Sequence, residues 1–227
     1  MKSISLLSGG LDSIVATSVA MNEGININLA IVFDYGQRAA KKEIGVSKRF
    51  CEHMSIPYDI IKLDWLESIT KTSLVNKDKS IPHLSQEEIN EDDMDIVTES
   101  ARQVWVPNRN GVMINIAASF AESMGCDYII VGFNEEEAST FPDNSESFMK
   151  SVNLSLSYST QKSVEVYAPL LSYDKEAIVR KGVDVKAPLE FSWSCYYGDD
   201  KPCGVCESCV RRKIAFEEVG MEDPCLR

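Results

Sequence analysis

The sequence predicts an α/β protein with a doubly wound, parallel β-sheet. Short apolar runs alternate along the chain with helical patterns, as expected when crossover helices join successive strands. The first apolar run, residues 4–7, leads directly into Ser-Gly-Gly-Leu-Asp-Ser at residues 8–13, and an apolar-periodic helix is predicted over residues 13–23. A strand, a glycine turn and a helix in this order form the start of such a fold.

The later elements continue the alternation. The further strands are predicted over residues 28–33, 58–63, 128–133 and 164–167. The further helices are predicted over residues 38–54, 111–124, 175–181 and 210–218. The run at 128–133 is almost continuously apolar, which is typical of a strand buried on both faces. Gly24 and Gly182 are expected to end the helices that precede them.

Length and composition indicate one α/β domain with a small appendage. The chain has 227 residues, of which 44% are hydrophobic, and this is enough for a sizeable core. We predict an α/β domain over residues 1–190, interrupted at residues 66–103 by an acid-rich insertion or lid. The appendage comprises residues 191–227 and contains a cluster of cysteines.

The charge balance narrows the class of partner. There are 23 Lys and Arg residues against 35 Asp and Glu residues, a net charge of −12, which disfavours direct binding of nucleic acid. The acidic stretch at residues 86–95 is interpreted as a solvated loop or helix face. The sequence shows neither a secretory leader nor an apolar run long enough to cross a membrane, so a cytoplasmic protein is expected.

The glycine loop carries the strongest functional signal. Its glycines allow close approach of the backbone, and Ser8, Asp12 and Ser13 are capping residues at a helix start, where free N–H groups bind phosphate. The spacing resembles the PP-loop of the ATP pyrophosphatases, which cleave ATP between its α and β phosphates; the alternative is an ordinary strand-to-helix turn. Neither G-x-x-x-x-G-K-[ST] nor G-x-G-x-x-G occurs. The predicted ATP-binding residues are Leu7, Ser8, Gly9, Gly10, Leu11, Asp12, Ser13, Ile14, Val15, Ala16 and Thr17.

Four cysteines with the spacing C-x7-C-x2-C-x2-C predict a closed metal site. Four thiolates this close together suit tetrahedral Zn²⁺ in a structural role, with one ion per chain. The alternatives are an Fe–S cluster, and redox or sulfur-relay chemistry through Cys206 and Cys209. Cys51, Cys126 and Cys225 lie apart and are interpreted as two core residues and a tail thiol. The predicted ligands are Cys195, Cys203, Cys206 and Cys209.

Five segments carry a more specific resemblance. They are residues 7–17 (LSGGLDSIVAT), 33–37 (FDYGQ), 106–110 (VPNRN), 132–143 (GFNEEEASTFPD) and 192–211 (SWSCYYGDDKPCGVCESCVR). Together they resemble the QueC family of 7-cyano-7-deazaguanine synthases. The resemblance implies an adenine nucleotide alpha hydrolase-like fold, a homodimer, and an ATP- and Mg²⁺-dependent ligase. This ligase would convert 7-carboxy-7-deazaguanine and ammonia to the nitrile preQ0 through an adenylated intermediate, for queuosine or archaeosine biosynthesis.

The same resemblance implies roles for individual residues. Ser8, Asp12, Ser13 and Arg109 are the expected catalytic residues. Asp12 would help to hold Mg²⁺, and Arg109 would clamp a phosphate or carboxylate, the alternative for Arg109 being a surface ion pair. The residues expected to contact the deazapurine are Tyr35, Asn110, Asn134, Glu135 and Asp143, and the alternatives are a rim tyrosine and a capped, solvated loop.

Three other functions stay open on the sequence. A PP-loop sulfur transferase or tRNA-thiolation enzyme would use Cys206 and Cys209, but it would need to contact RNA with a chain of net charge −12. A related ligase would activate another carboxylate. A nucleotide sensor would bind ATP without cleaving it, and the complete loop with Asp12 and Ser13 argues against this reading.

Overall fold

A five-stranded, entirely parallel sheet organises the protein, which is represented by a computed structural model describing residues 1–90 and 94–226. The strands lie in the order β3-β2-β1-β4-β5. They are β1 (Lys2–Leu6), β2 (Asn26–Asp34), β3 (Tyr58–Lys62), β4 (Tyr128–Ile130) and β5 (Glu165–Tyr167). From β1 the chain adds β2 and then β3 on one side, and it then adds β4 and β5 on the other side. Such a reversal creates a crevice at the carboxyl ends of β1 and its neighbours, where ligands of α/β proteins bind.

Helices cover both faces of the sheet. Those in the described residues are α1 (Leu11–Asn22), α2 (Ala40–Met54), α3 (Asp64–Ile69), α4 (Gln86–Asn90), α5 (Met94–Val104), α6 (Arg109–Met124), α7 (Glu135–Ala138), α8 (Glu146–Ser159), α9 (Lys175–Asp184) and α10 (Glu207–Val219). None of these helices is both long and apolar enough to cross a membrane.

Two apolar cores, one on each face, establish the doubly wound architecture. On one face Ile14 of α1, Phe50 of α2 and Ile178 of α9 are buried together. On the other, α6 and α8 pack against the sheet through residues that include Ile114 and Leu156. Burial on both faces requires the near-continuous apolar strands seen in the sequence. The predicted fold class is therefore confirmed.

Helices α7 and α8 were not predicted from the sequence. Helix α8 is mostly polar, but Phe148, Met149, Val152 and Leu156 recur at helical spacing and pack against the core. The sequence also contains an N-cap for α8. The Ser145 hydroxyl accepts a hydrogen bond from the N–H of Phe148 at 3.1 Å and caps the helix.

The predicted end of α9 at Gly182 is wrong. The helix continues through Asp184, and Gly182 lies inside it. A Cβ at this position would lie 3.0 Å from side-chain carbons of both Leu189 and Val15. The glycine is needed here for close packing of α9 against α1, rather than as a helix terminator.

The acid-rich insertion is tied to the domain by buried contacts. Helices α3, α4 and α5 and the segments between them bury apolar side chains that include Leu74, Val75 and Val97. The guanidinium of Arg38, in the loop after β2, donates hydrogen bonds at 2.7 Å to the carbonyl oxygens of Ser73 and Asn76. Residues 91–93 of the predicted acidic stretch lie outside the described residues.

Candidate active site and metal centre

A cavity of about 260 Å³ opens at the carboxyl ends of β1, β2 and β4. Its deep walls are apolar and come from the sheet, from α6 and from the insertion; they comprise Leu6, Ile31, Phe33, Leu74, Val104, Met113, Ile114, Val131 and Phe133. Its polar rim includes the glycine loop, Arg109 and Lys175. An apolar cavity with a few convergent polar groups is typical of a small-molecule site.

The glycine loop presents the start of α1 to this cavity. Gly10 is the N-cap of α1 and provides no side-chain cap, so the first-turn N–H groups have no capping side chain. The Ser8 hydroxyl accepts from the N–H of Gly10 at 3.2 Å and donates to the Ser13 hydroxyl at 3.1 Å, which itself donates to the Gly10 carbonyl at 3.0 Å. These bonds hold the loop in the form of an anion cradle.

Two glycines are required by the packing around the loop. Gly9 has φ +76°, and a Cβ there would lie 2.6 Å from the backbone carbonyl oxygen of Glu43. Gly132, after β4, lies against the start of α1, and a Cβ there would lie 2.9 Å from the backbone nitrogen of Ser13. Backbone atoms cannot move aside cheaply, so both positions need glycine.

Replacement of Gly9 by alanine is therefore expected to lower the free energy of unfolding by about 1–3 kcal/mol more than replacement of Gly220. Gly220 has a similar φ of +72°, but a Cβ there would meet nothing within 4 Å. The pair thus separates steric conflict from backbone strain, and urea unfolding of both variants measures it. Equal losses in the two variants would contradict the tight packing at Gly9.

Lys175 is the functional residue that the sequence did not reveal. It is the first residue of α9, and its Nζ lies 2.7 Å from Asp12 Oδ2 and 3.1 Å from Glu137 Oε1. The Lys175 and Asp12 side chains are only 13% and 16% exposed. Asp12 and Lys175 are 163 positions apart, so no local motif joins them. The one signal available was that residue 175 follows a predicted strand and starts a helix, at the same edge of the sheet as the glycine loop.

Burial and the Lys175 ammonium act in opposite directions on the pKa values of Asp12 and Glu137. Burial raises the pKa of Asp12 to about 6, and the neighbouring Glu137 contributes, while Lys175 opposes the rise. For Glu137, burial acts to raise the pKa, but Lys175 outweighs it and the pKa is lowered. Asp12 Oδ1 is buried without a hydrogen-bond partner among the described residues. This acceptor is oriented for a further cation or donor.

Most of the predicted nucleotide-loop residues line the cavity. Those that do are Leu7, Ser8, Gly10, Leu11, Asp12 and Ser13. Gly9 lies behind them, against α2. The last four of the set are buried within α1 instead: Ile14, Val15, Ala16 and Thr17. The Thr17 hydroxyl, for example, donates to the Ser13 carbonyl at 2.7 Å, so this residue shapes α1 from within the core.

The predicted substrate residues divide into two groups. Tyr35 and Asn110 line the cavity, and Asp143 lines a small cleft beside it. Asn134 is fully buried, and its Oδ1 accepts from the N–H of Glu137 at 2.9 Å to cap α7. Glu135 is exposed and does not line the cavity. The chain turns into α7 directly after residue 134, and neither of these two residues lines the cavity.

Arg109 joins the cavity to the neighbouring cleft and lines both. Its guanidinium donates to the Tyr35 hydroxyl at 3.3 Å and lies 5.9 Å from the centre of that ring. Burial raises the pKa of Asp143, and the charge of Arg109 opposes this rise. The guanidinium is therefore a fixed positive group, held by an aromatic ring, that faces the interior of the site.

The four predicted ligand cysteines meet in one cluster. Their Sγ atoms all lie within 4.8 Å of one another, and those of Cys203 and Cys209 are 4.0 Å apart. Zn–S bonds of about 2.3 Å in a tetrahedron place sulfurs about 3.8 Å apart, so only a small contraction is needed. Backbone N–H groups of Tyr197 and Cys203 each donate to Cys195 Sγ at 3.3 Å. Hydrogen bonds from the Cys206 and Cys209 thiols lower the pKa of Cys195, and the same contacts raise the pKa values of Cys206 and Cys209. The cluster is suited to a thiolate-ligated metal.

The metal segment contacts the glycine loop directly. The N–H of Trp193 donates to the Gly9 carbonyl at 2.8 Å, and its indole N–H donates to the Cys195 carbonyl at 2.8 Å. Trp193 also lines the cavity. A single residue thus connects the cysteine cluster to the glycine turn before α1.

A second connection runs through charged side chains. On α10, Arg211 contacts Glu207 Oε1 at 3.0 Å and, across the fold, Glu136 Oε1 at 2.6 Å. The other oxygen of Glu136 accepts from the N–H of Lys175 at 3.0 Å. The helix that carries Cys209 is therefore linked to the ion pair of the glycine loop.

A model of the family described as queuosine biosynthesis protein QueC matches residues 2–220 of this sequence. The chain belongs to the QueC family. It is 58% identical over 227 residues to the 7-cyano-7-deazaguanine synthase of Methanosarcina mazei, covering 100% of this chain and 98% of that one. The predicted family and the prediction that the chain is an enzyme are confirmed.

More distant relatives of the QueC-family chain bear the same name. The 7-cyano-7-deazaguanine synthase of Carboxydothermus hydrogenoformans is 49% identical over 214 residues, covering 94% of this chain and 97% of that one. The synthase of Methanobrevibacter smithii is 47% identical over 223 residues, covering 98% and 96%. The solved U34-tRNA thiolase NcsA of Methanococcus maripaludis, with its [4Fe-4S] cluster, aligns over 97% of this chain and 66% of its own. Its TM-score of 0.49 and identity of 18% are too low to carry an argument.

Proposed function

We propose that this chain is an ATP-dependent ligase that converts 7-carboxy-7-deazaguanine and ammonia to 7-cyano-7-deazaguanine. The observation that carries the proposal is the convergence of the glycine loop, Lys175 and Arg109 on one cavity in a member of the QueC family. The names of the relatives supply the product, and the cavity supplies the groups that an adenylation reaction needs.

The chemistry begins with a carboxylate, which is a poor electrophile. A carboxylate oxygen attacks the α-phosphorus of ATP, pyrophosphate leaves, and an acyl-adenylate forms. N–H groups at the start of α1 and the Lys175 ammonium stabilise the charge on the departing pyrophosphate. Arg109 holds the carboxylate or the α-phosphate in position.

Ammonia then attacks the acyl carbon, and AMP leaves as the amide forms. To reach the nitrile, the amide oxygen is activated by ATP in the same way. That oxygen then departs with AMP while the nitrogen loses both of its protons. The residues of the cavity act by position and charge in both halves of the reaction.

Asp12 is proposed as the residue that helps to hold Mg²⁺. Its buried, unpartnered Oδ1 is a fitting ligand, because a divalent cation would satisfy it. When bound, Mg²⁺ neutralises charge on the phosphates. Asp12 must be ionised for this role, so its pKa of about 6 makes activity fall below that pH.

The four clustered cysteines are proposed to hold one structural Zn²⁺. The donor set fits, since it consists of four sulfurs with no open position for substrate. All four sulfurs meet in one cluster, which leaves Cys206 and Cys209 no separate role as a sulfur-relay pair. This favours the ligase over a thiolation enzyme. We further propose a homodimer that makes no direct contact with nucleic acid, to be tested by light scattering and by RNA titration.

A turnover assay with Asp12→Asn tests the proposal. Wild-type protein is given ATP, Mg²⁺, ammonium and 7-carboxy-7-deazaguanine, and mass spectrometry follows the nitrile and AMP. We expect nitrile with AMP release, and a loss of about 100-fold or more in Asp12→Asn. The exposed Asp184→Asn, at the end of α9, is the control. ATP cleavage without nitrile would indicate another carboxylate, and no cleavage by folded, metal-loaded protein would refute the ligase.

A further inference from the structure

Three carboxylates line the cavity, and among the described residues one of them, Glu43, forms no ion pair. Asp12 and Glu137 both contact Lys175, at 2.7 and 3.1 Å. The third, Glu43 of α2, receives a hydrogen bond from the neutral amide of Gln37 at 2.8 Å. That bond uses only Oε2 of Glu43. Among the hydrogen bonds of the described residues, Oε1 of Glu43 has no partner.

The Glu43 carboxylate is held in a fixed orientation. Gln37 is 4% exposed, and its Oε1 accepts from the N–H of Tyr35 at 3.0 Å. The Gln37 amide also donates to the Phe33 carbonyl at 3.1 Å, in addition to its bond with Glu43. A side chain anchored at three points cannot reorient to serve another group. It therefore positions Glu43 as part of a preformed site.

The surroundings of Glu43 suit a planar, uncharged heterocycle. The cavity that Glu43 lines is also lined by Tyr35 and by apolar side chains of β2 and α6, including Phe33 and Met113. Burial raises the pKa of Glu43 to about 7; the Gln37 amide and the charge of Arg109 oppose the rise, and Asp34 adds to it. Such a carboxyl gains most from a ligand that donates hydrogen bonds to its ionised form.

We propose that the Glu43 carboxylate binds the substrate ring by accepting hydrogen bonds from its lactam N–H and from the neighbouring exocyclic amine. An ionised carboxylate accepts two parallel N–H bonds, which is the pattern that distinguishes a guanine-like ring from one without the amine. This inference deepens the proposed function and rests on it. It adds a residue of α2 to the substrate residues predicted from the sequence, which were Tyr35, Asn110, Asn134, Glu135 and Asp143. Of these, Tyr35 and Asn110 line the same cavity as Glu43.

The experiment measures binding rather than turnover. Isothermal titration calorimetry compares 7-carboxy-7-deazaguanine with its analogue that lacks the 2-amino group, on wild-type protein and on Glu43→Gln. Wild-type protein should bind the amino compound about 100-fold more tightly, and Glu43→Gln should reduce this ratio to about 1–3-fold. ATP binding should be unchanged in the variant. Glu52→Gln, an exposed position on the same helix, is the matched control.

Each other outcome has a definite meaning. If wild-type protein binds neither ring compound, the proposed function fails. If wild-type protein discriminates and Glu43→Gln discriminates equally, the function stands and this inference is overturned. Loss of discrimination in Glu135→Gln instead would assign recognition to the loop after β4. Unchanged binding with a lower kcat in Glu43→Gln would make Glu43 a proton-transfer group, for example toward ammonium, and would also overturn the inference.

Discussion

Replacement of Lys175 by methionine is expected to lower kcat/KM for nitrile formation by about 10²–10³-fold. Methionine retains an unbranched stem but removes the ammonium that lies 2.7 Å from Asp12 and 3.1 Å from Glu137. Two carboxylates without a cation would then face the phosphates of ATP and repel them. Steady-state kinetics, with circular dichroism to verify the fold, measure the effect.

The same variant is also expected to change the pH dependence of kcat/KM. Lys175 lowers the pKa of Asp12, so its removal should raise that pKa further above about 6. The acid limb of the kcat/KM profile should therefore move to higher pH. Lys150→Met, on the exposed face of α8 where Lys150 is 69% exposed, is the control and should behave as wild type. An unshifted profile with full activity in Lys175→Met would reduce Lys175 to a structural counter-ion.

Replacement of Cys206 by serine is expected to release the metal and to lower Tm by about 10 °C or more. Removing one of four ligands forfeits several kcal/mol of metal-linked folding energy, and each 1 kcal/mol shifts Tm by about 2–4 °C in a chain of this size. ATP binding should weaken by about tenfold, because Trp193 holds the Gly9 carbonyl at 2.8 Å and is itself anchored at Cys195. Calorimetry and metal analysis provide both readouts.

Cys225→Ser is the matched control for this experiment. Cys225 is partly buried near the cluster but is not one of its four members, so its substitution should keep the metal and ATP affinity. A Cys206→Ser protein that stays folded, retains its metal and binds ATP, yet does not turn over, would contradict the structural role. Such a result would favour a catalytic thiol.

Local spacing was enough to predict much of the molecule. The residues of a strand, a glycine turn and a helix start are adjacent in the chain, so the loop at residues 8–13 was recognisable from its letters. The cysteine cluster was equally accessible, since Cys203, Cys206 and Cys209 lie within one turn and the start of one helix. The apolar runs likewise predicted all five strands to within a few residues.

Short-range patterns failed where packing decided the outcome. Gly182 was expected to end a helix, but it lies inside α9, where a Cβ would come within 3.0 Å of side-chain carbons of Leu189 and Val15. Asn134 and Glu135 follow a strand, as ligand-binding residues often do, but Asn134 caps α7 and neither residue lines the cavity. Their role toward the deazapurine stays a prediction.

By itself, the sequence determined the alternation of strands and helices, the glycine turn before α1 and the close spacing of the cysteines, because each depends on neighbours along the chain. Only the tertiary structure decided which charges share the site. The strand order brings the ends of β1, β2 and β4 together, and with them Asp12, Glu43 and Lys175. Glu137, which contacts Lys175, and Glu43, which contacts a neutral amide, are the same residue type in the sequence. Only the fold determines which of them lies beside the lysine, as it does for Asp12 and Lys175, which are 163 positions apart.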